Sequence, residues 1–169
     1  MKIRQHPTKE LIITDPLSRG SVYLFLEDIM KVCLLICPKG SDSDNLKKIA
    51  ASCAQGLEQN GTQSDILNVS VDTDKRLTLY DYLIFIAEPL SSFGKNVTPA
   101  LKKFLENAGA VSGKRAATIL VGGIRKNATM ATLMRVVESE GIILKTSEFI
   151  KKPGEAKAFA SRLKIERNY

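Results

Sequence analysis

Residues 80–123, "YDYLIFIAEPLSSFGKNVTPALKKFLENAGAVSGKRAATILVGG", decide the architecture of this chain. The segment opens on "DYLIFIA" (81–87), a continuous apolar run of the kind a strand needs when both its faces are covered. A polar loop follows. "VTPALKKFLENAG" (97–109) then carries the marks of a helix, with Thr98 as cap, Pro99 at the first position and Gly109 at the end. "KRAATILVGG" (114–123) returns to a strand and ends in a double glycine. Strands joined through helices in this way lie parallel in one sheet.

The same alternation continues outward in both directions. Before the segment, "KVCLLIC" (31–37) is a second continuous apolar run. It leads into "SDNLKKIAASCAQGLEQNG" (43–61), where Leu46, Ile49, Ala50, Cys53 and Leu57 share one helical face, Ser43 caps the start and Gly61 closes the end. "SDILNVSV" (64–71) alternates as a strand, and "DTDKRLTLY" (72–80) is a short connector. After the segment, "NATMATLMRVVESEG" (127–141) reads as a helix whose Met130, Leu133, Met134 and Val137 are core packing. "IILKTSEFI" (142–150) is the last strand and "GEAKAFASRLKIE" (154–166) the last helix. The expected fold is α/β, a doubly wound five-stranded parallel sheet with helices on both faces. Residues 1–30 stand outside this pattern as an N-terminal extension. "ELIIT" and "SVYLFLED", joined through "DPLSRG", read either as a β-hairpin or as a strand followed by a helix capped by Asp15 with Pro16 next. The hairpin is preferred.

Composition narrows the chemistry. The chain has 169 residues, enough for one full core, with 44% hydrophobic and 25% charged residues. No apolar run approaches the ~20 residues of a membrane span, and the N-terminus lacks a signal-like apolar core, so a cytoplasmic address is expected. The three cysteines, an odd number, fit reduced and buried thiols. Cys33 and Cys37 fall on one face of the first large strand. The single histidine, His6, removes the usual base of a Ser-His or Cys-His nucleophile, and with no Cys-x-x-Cys pair a zinc site is not expected. The net charge of +7 raises nucleic acid as a partner. However, the basic pairs at 47–48, 102–103 and 151–152 lie on separate elements, and aromatics are only 6%. A solvated basic surface accounts for this better.

With these elements in order, the chain resembles the flavodoxin-like family, which includes flavodoxins and NAD(P)H-dependent FMN reductases. The resemblance is carried by the Tyr-Asp strand ending in Pro89, by "TPALKKFL", and by "SGKRAATILVGG", and it covers residues 31–164 in order and spacing. It divides the chain into an extension, 1–30, and a flavodoxin-like domain, 31–169. It implies the strand order 2-1-3-4-5, with FMN at the crevice between the first and third strands.

The resemblance also names a site. Family members hold the FMN phosphate in a loop after the first strand, at a helix N-terminus rich in N–H and hydroxyl donors. Here that loop is Ser41-Asp42-Ser43-Asp44-Asn45-Leu46. Ser41, Ser43 and Asn45 keep polar groups in place, while Asp44 stands where the family has glycine and Leu46 where it has a hydroxyl. Two carboxylates oppose a dianionic phosphate, and Lys39 and the helix dipole offset part of that. Alternatively, Asp42 and Asp44 serve only to cap the helix. For the flavin ring, the resemblance implies Pro89, Leu90, Ser91, Ser92, Phe93 and Gly94, with Phe93 stacking or else folded onto the next helix. Gly122 and Gly123 are the glycines that admit a flat ligand, with Arg125 and Lys126 at the edge of that loop.

Two functions follow from the resemblance. One is an FMN-dependent redox protein, either a small reductase using a nicotinamide donor or an electron carrier docking on an acidic protein partner. Neither needs an acid–base residue of its own. The other is a module of the same fold that has lost FMN and binds a protein partner or another ligand. The sequence pI of about 9.4 sits more easily with a reductase than with a carrier.

Overall fold

The structure is a computed structural model, and it describes residues 11–12, 23–24, 30–91 and 95–165. Seven strands and four helices occur among them: β1 (Leu11–Ile12), β2 (Tyr23–Leu24), β3 (Lys31–Cys37), α1 (Asp44–Glu58), β4 (Gln63–Asn68), β5 (Tyr82–Ala87), α2 (Pro99–Asn107), β6 (Arg115–Val121), α3 (Lys126–Glu138), β7 (Ile143–Ile150) and α4 (Pro153–Arg162). Five of the strands form one parallel sheet in the order β4-β3-β5-β6-β7, which is 2-1-3-4-5 counted from β3. The flavodoxin-like topology expected from the sequence is therefore present.

Period-two alternation sends each central strand's side chains to two separate cores. Val32, Leu34 and Ile36 of β3, with Tyr82, Ile84 and Ile86 of β5, face α1 and α4. Cys33, Leu35 and Cys37, with Leu83, Phe85 and Ala87, face α2 and α3. Burial pushes the thiols of Cys33 and Cys37 far up, and that of Cys53 up to about 12. All three are inert packing groups at neutral pH.

On the first face, α1 and α4 lie against each other at Gly56. A β-carbon there would stand 2.4 Å from the Lys157 carbonyl oxygen and 2.9 Å from the Ala160 β-carbon. On the second face no helix joins β4 to β5. The connector fills the space instead, burying Val69 and Leu77. Leu77 N–H donates to the Ala108 carbonyl at 2.8 Å, and Lys114 Nζ donates to the carbonyls of Tyr80 at 2.6 Å and Thr78 at 3.1 Å.

The helices start where the sequence places them. Ser43 Oγ accepts from Leu46 N–H, and Thr98 Oγ1 accepts from Ala100 N–H ahead of Pro99. Several ends differ. The strand expected over 64–71 stops at Asn68, because the Asp72 carboxylate accepts from Asn68 N–H at 2.8 Å and turns the chain. The last helix stops at Arg162 rather than at 166, since Leu163 is extended, with φ −69° and ψ 119°. Opposite Ala116 and Ala117 of β6 the register of β7 slips between Leu144 and Thr146, leaving Lys145 as a bulge on this edge strand.

Within the extension, β1 pairs antiparallel with β2, Leu11 opposite Leu24 and Ile12 opposite Tyr23, as a hairpin requires. The other residues of "ELIIT" and "SVYLFLED" lie outside the described residues. Among the described residues, both cores are built from residue 32 onward. A chain beginning at Met30 is therefore expected to keep one cooperative thermal transition, followed by circular dichroism. Loss of that transition would make the extension part of the core.

Candidate functional site

The loops that leave the carboxyl ends of β3, β5 and β6 converge at the switch point of the sheet, where ligands of open α/β sheets are held. They enclose a cleft of about 380 Å³, within the range of small-molecule sites. Glu88, Pro89, Leu90 and Ser91 line it from β5, and Val121, Gly122 and Gly123 from β6. Lys39 and Asn45 close one end, and Lys151 the other.

The two glycines do different work. Both have positive φ, 77° at Gly122 and 91° at Gly123, a conformation side chains resist. A β-carbon on Gly123 would stand 2.5 Å from Pro89 Cγ, so the absence of a side chain lets the β6 loop lie against the β5 loop. At Gly122 no atom of the described residues lies within 4 Å of the same position. That open space beside a bare backbone is what a flat ring needs. The β5 loop is held by Leu90 N–H donating to the Asn96 carbonyl at 3.0 Å. Ser92, Phe93 and Gly94 lie outside the described residues. Of the two cations at the β6 loop's edge, neither lines the cleft, and Lys126 Nζ sits 4.9 Å from the Phe149 ring centre.

The loop after β3 differs from a working phosphate loop in a way that two parallel strands create. Cys37 pairs with Ala87, so Glu88 emerges directly beside Pro38 and Lys39. Its carboxylate accepts from Lys39 N–H at 3.0 Å, and Ser43 Oγ lies 3.5 Å from its other oxygen. Asp42 accepts from Ser43 N–H at 2.8 Å and pairs with Lys47, which holds the Asp42 carboxyl below its usual range. Ser43 Oγ is itself engaged as the cap of α1. The carbonyls of Gly40 and Ser41 accept from Ser70 Oγ and Asn68 Nδ2, at 3.3 and 2.9 Å, tying the loop to the end of β4.

Ser43 Oγ thus faces its own neighbours, Ser41 is tied through its carbonyl, and of the three loop residues named from the sequence only Asn45 lines the cleft. Asp44 is the first residue of α1, and among the described residues no non-glycine has positive φ. The missing family glycine therefore imposes no strain. The bare backbone at Gly122 and Gly123 is compatible with a flat ring. At the loop after β3, by contrast, three donors, Lys39 N–H, Ser43 N–H and Ser43 Oγ, already meet the carboxylates of Glu88 and Asp42, which opposes a phosphate there. Glu88 and Lys151 were not named as site residues from the sequence. The only signal for Glu88 was an acidic residue directly after a buried strand.

A larger hollow, of about 460 Å³, lies beside Tyr82, the first residue of β5, with Phe159, Arg162 and Lys145 in its wall. None of the glycine loops reaches it, and it stands away from the carboxyl ends of the central strands. Among the described residues no group of His, Cys, Asp and Glu is placed to hold a metal ion, and no helix is long and apolar enough to cross a membrane.

No protein-family model matches the chain, and no curated protein matches its sequence. Solved structures do match. An archaeal flavodoxin superposes with a TM-score of 0.60 at 17% identity, covering 78% of this chain and 94% of its own. An oxidised flavodoxin 1 from Bacillus cereus does so with a TM-score of 0.58 at 14% identity, covering 78% and 95%. A flavone reductase gives 0.58 at 10% identity, covering 78% and 61%. At these identities the likeness shows the fold, and the fold is flavodoxin-like.

Proposed function

We propose that the protein is a flavin-binding redox protein, with the flavin ring seated in the cleft between the β5 and β6 loops. The observation that carries this reading is the cleft at the switch point, whose β6 wall is the bare backbone of Gly122 and Gly123, both at positive φ. The fold shared with flavodoxins and a flavone reductase supports it. A bound flavin supplies the electron-transfer chemistry, and the chain binds, orients and shields it.

Between the two redox roles, charge favours a small NAD(P)H-dependent reductase working in the cytoplasm. The net charge is +7, and small substrates of a reductase do not require an acidic docking face to meet that surface. An electron carrier with this surface needs an acidic partner face. One observation favours a second reading, a flavodoxin-like module that binds a protein partner without flavin: Glu88 already meets two of the phosphate loop's donors, Lys39 N–H and Ser43 Oγ.

The test is a fluorescence titration of riboflavin and of FMN with the purified protein. Saturable quenching of either flavin is expected. If neither is quenched at any practical concentration, the second reading replaces the first.

A further inference from the structure

Resting on that reading, we infer that the cleft selects a flavin whose side chain ends in a hydroxyl, and that Glu88 is the residue that excludes the phosphate. A phosphate dianion and a carboxylate are both hydrogen-bond acceptors only, so they compete for the same donors and cannot bond to each other. In this chain the carboxylate is built in. Glu88 takes Lys39 N–H at 3.0 Å and lies 3.5 Å from Ser43 Oγ, at the mouth of the loop where the phosphate would sit. Asp42 takes Ser43 N–H, and Asp44, in the first turn of α1, adds a third carboxylate.

A terminal hydroxyl reverses the outcome. It donates to a carboxylate oxygen and brings no charge. Glu88 lines the cleft together with Asn45, so an alcohol at the end of a ribityl chain meets an acceptor there. Charge-assisted bonds of this kind are the stronger ones. A site built around a hydroxyl discriminates sharply against a ligand that cannot make the bond. Glu88 is thus a specificity-determining residue, not part of a damaged loop. Its position follows from the Cys37–Ala87 pairing, which the packed sheet holds fixed.

The experiment compares riboflavin and FMN binding to the parent and to Glu88→Gln, by flavin fluorescence and by calorimetry, with circular dichroism to confirm folding. The parent is expected to bind riboflavin at least tenfold more tightly than FMN. Glu88→Gln, which removes the charge and supplies an N–H donor, is expected to raise FMN affinity at least tenfold while changing riboflavin affinity less than threefold. A parent that binds FMN as tightly as riboflavin overturns the inference and leaves the flavin reading standing. So does an FMN affinity that Glu88→Gln does not raise. A parent that binds neither flavin overturns the flavin reading itself, and this inference with it.

Discussion

Gly56→Ala is expected to destabilise the protein, although alanine is the better helix former. In an exposed helix the change gains about 1 kcal/mol. Here the added carbon would stand 2.4 Å from the Lys157 carbonyl oxygen and 3.1 Å from the Ser161 nitrogen, both backbone atoms of α4. Neither can rotate away, so α1 and α4 must separate. Ala156, Phe159 and Ala160 then lose contact with the core under the sheet. Overpacking of this kind costs about 1–3 kcal/mol, and for a chain of this size each kcal/mol lowers Tm by about 2–4 °C. Gly154→Ala is the control, since nothing lies within 4 Å of its β-carbon position. Its Tm is expected to hold or rise. A Gly56→Ala protein as stable as the parent would mean that the two helices are not in close contact.

Gly122→Val is expected to abolish flavin quenching, a loss of at least tenfold in affinity, with the secondary structure retained. Two effects act together. A β-branched residue at φ 77° is strained, by ~1–3 kcal/mol. If the backbone tolerates that, the side chain fills the space beside the cleft that a ring needs. Titration of the variant beside the parent, with a thermal melt of each, separates the two effects. Unchanged quenching in a folded variant would place the ring elsewhere.

These two glycines show what was legible in the sequence. The strands of the central sheet could be read because a run such as "KVCLLIC" is apolar at every position past its first residue, which only double-sided burial explains. Their parallel direction followed from connections that are mostly helical, and their order from the resemblance. Gly122 could be read because a double glycine ended a strand. Gly56 could not, since its reason lies in α4, a hundred residues later. Element ends were misjudged where a side chain decided them, as Asp72 does by capping β4 at Asn68. The cleft was legible in part: the resemblance named Asn45, Pro89, Leu90, Ser91, Gly122 and Gly123, and these residues line it. The role of Glu88 depends on the register that sets Ala87 beside Cys37, and no local pattern encodes that register.

The most direct measurement of the central claim is a set of two-dimensional 1H–15N NMR spectra recorded during riboflavin addition. A flavin in the cleft is expected to shift the backbone amides of Asn45, Leu90, Ser91, Gly122 and Gly123, and to leave those of Lys145, Phe159 and Arg162 at the other hollow unmoved. Shifts confined to that second group, or no shift anywhere at saturating riboflavin, would contradict a flavin site between the β5 and β6 loops.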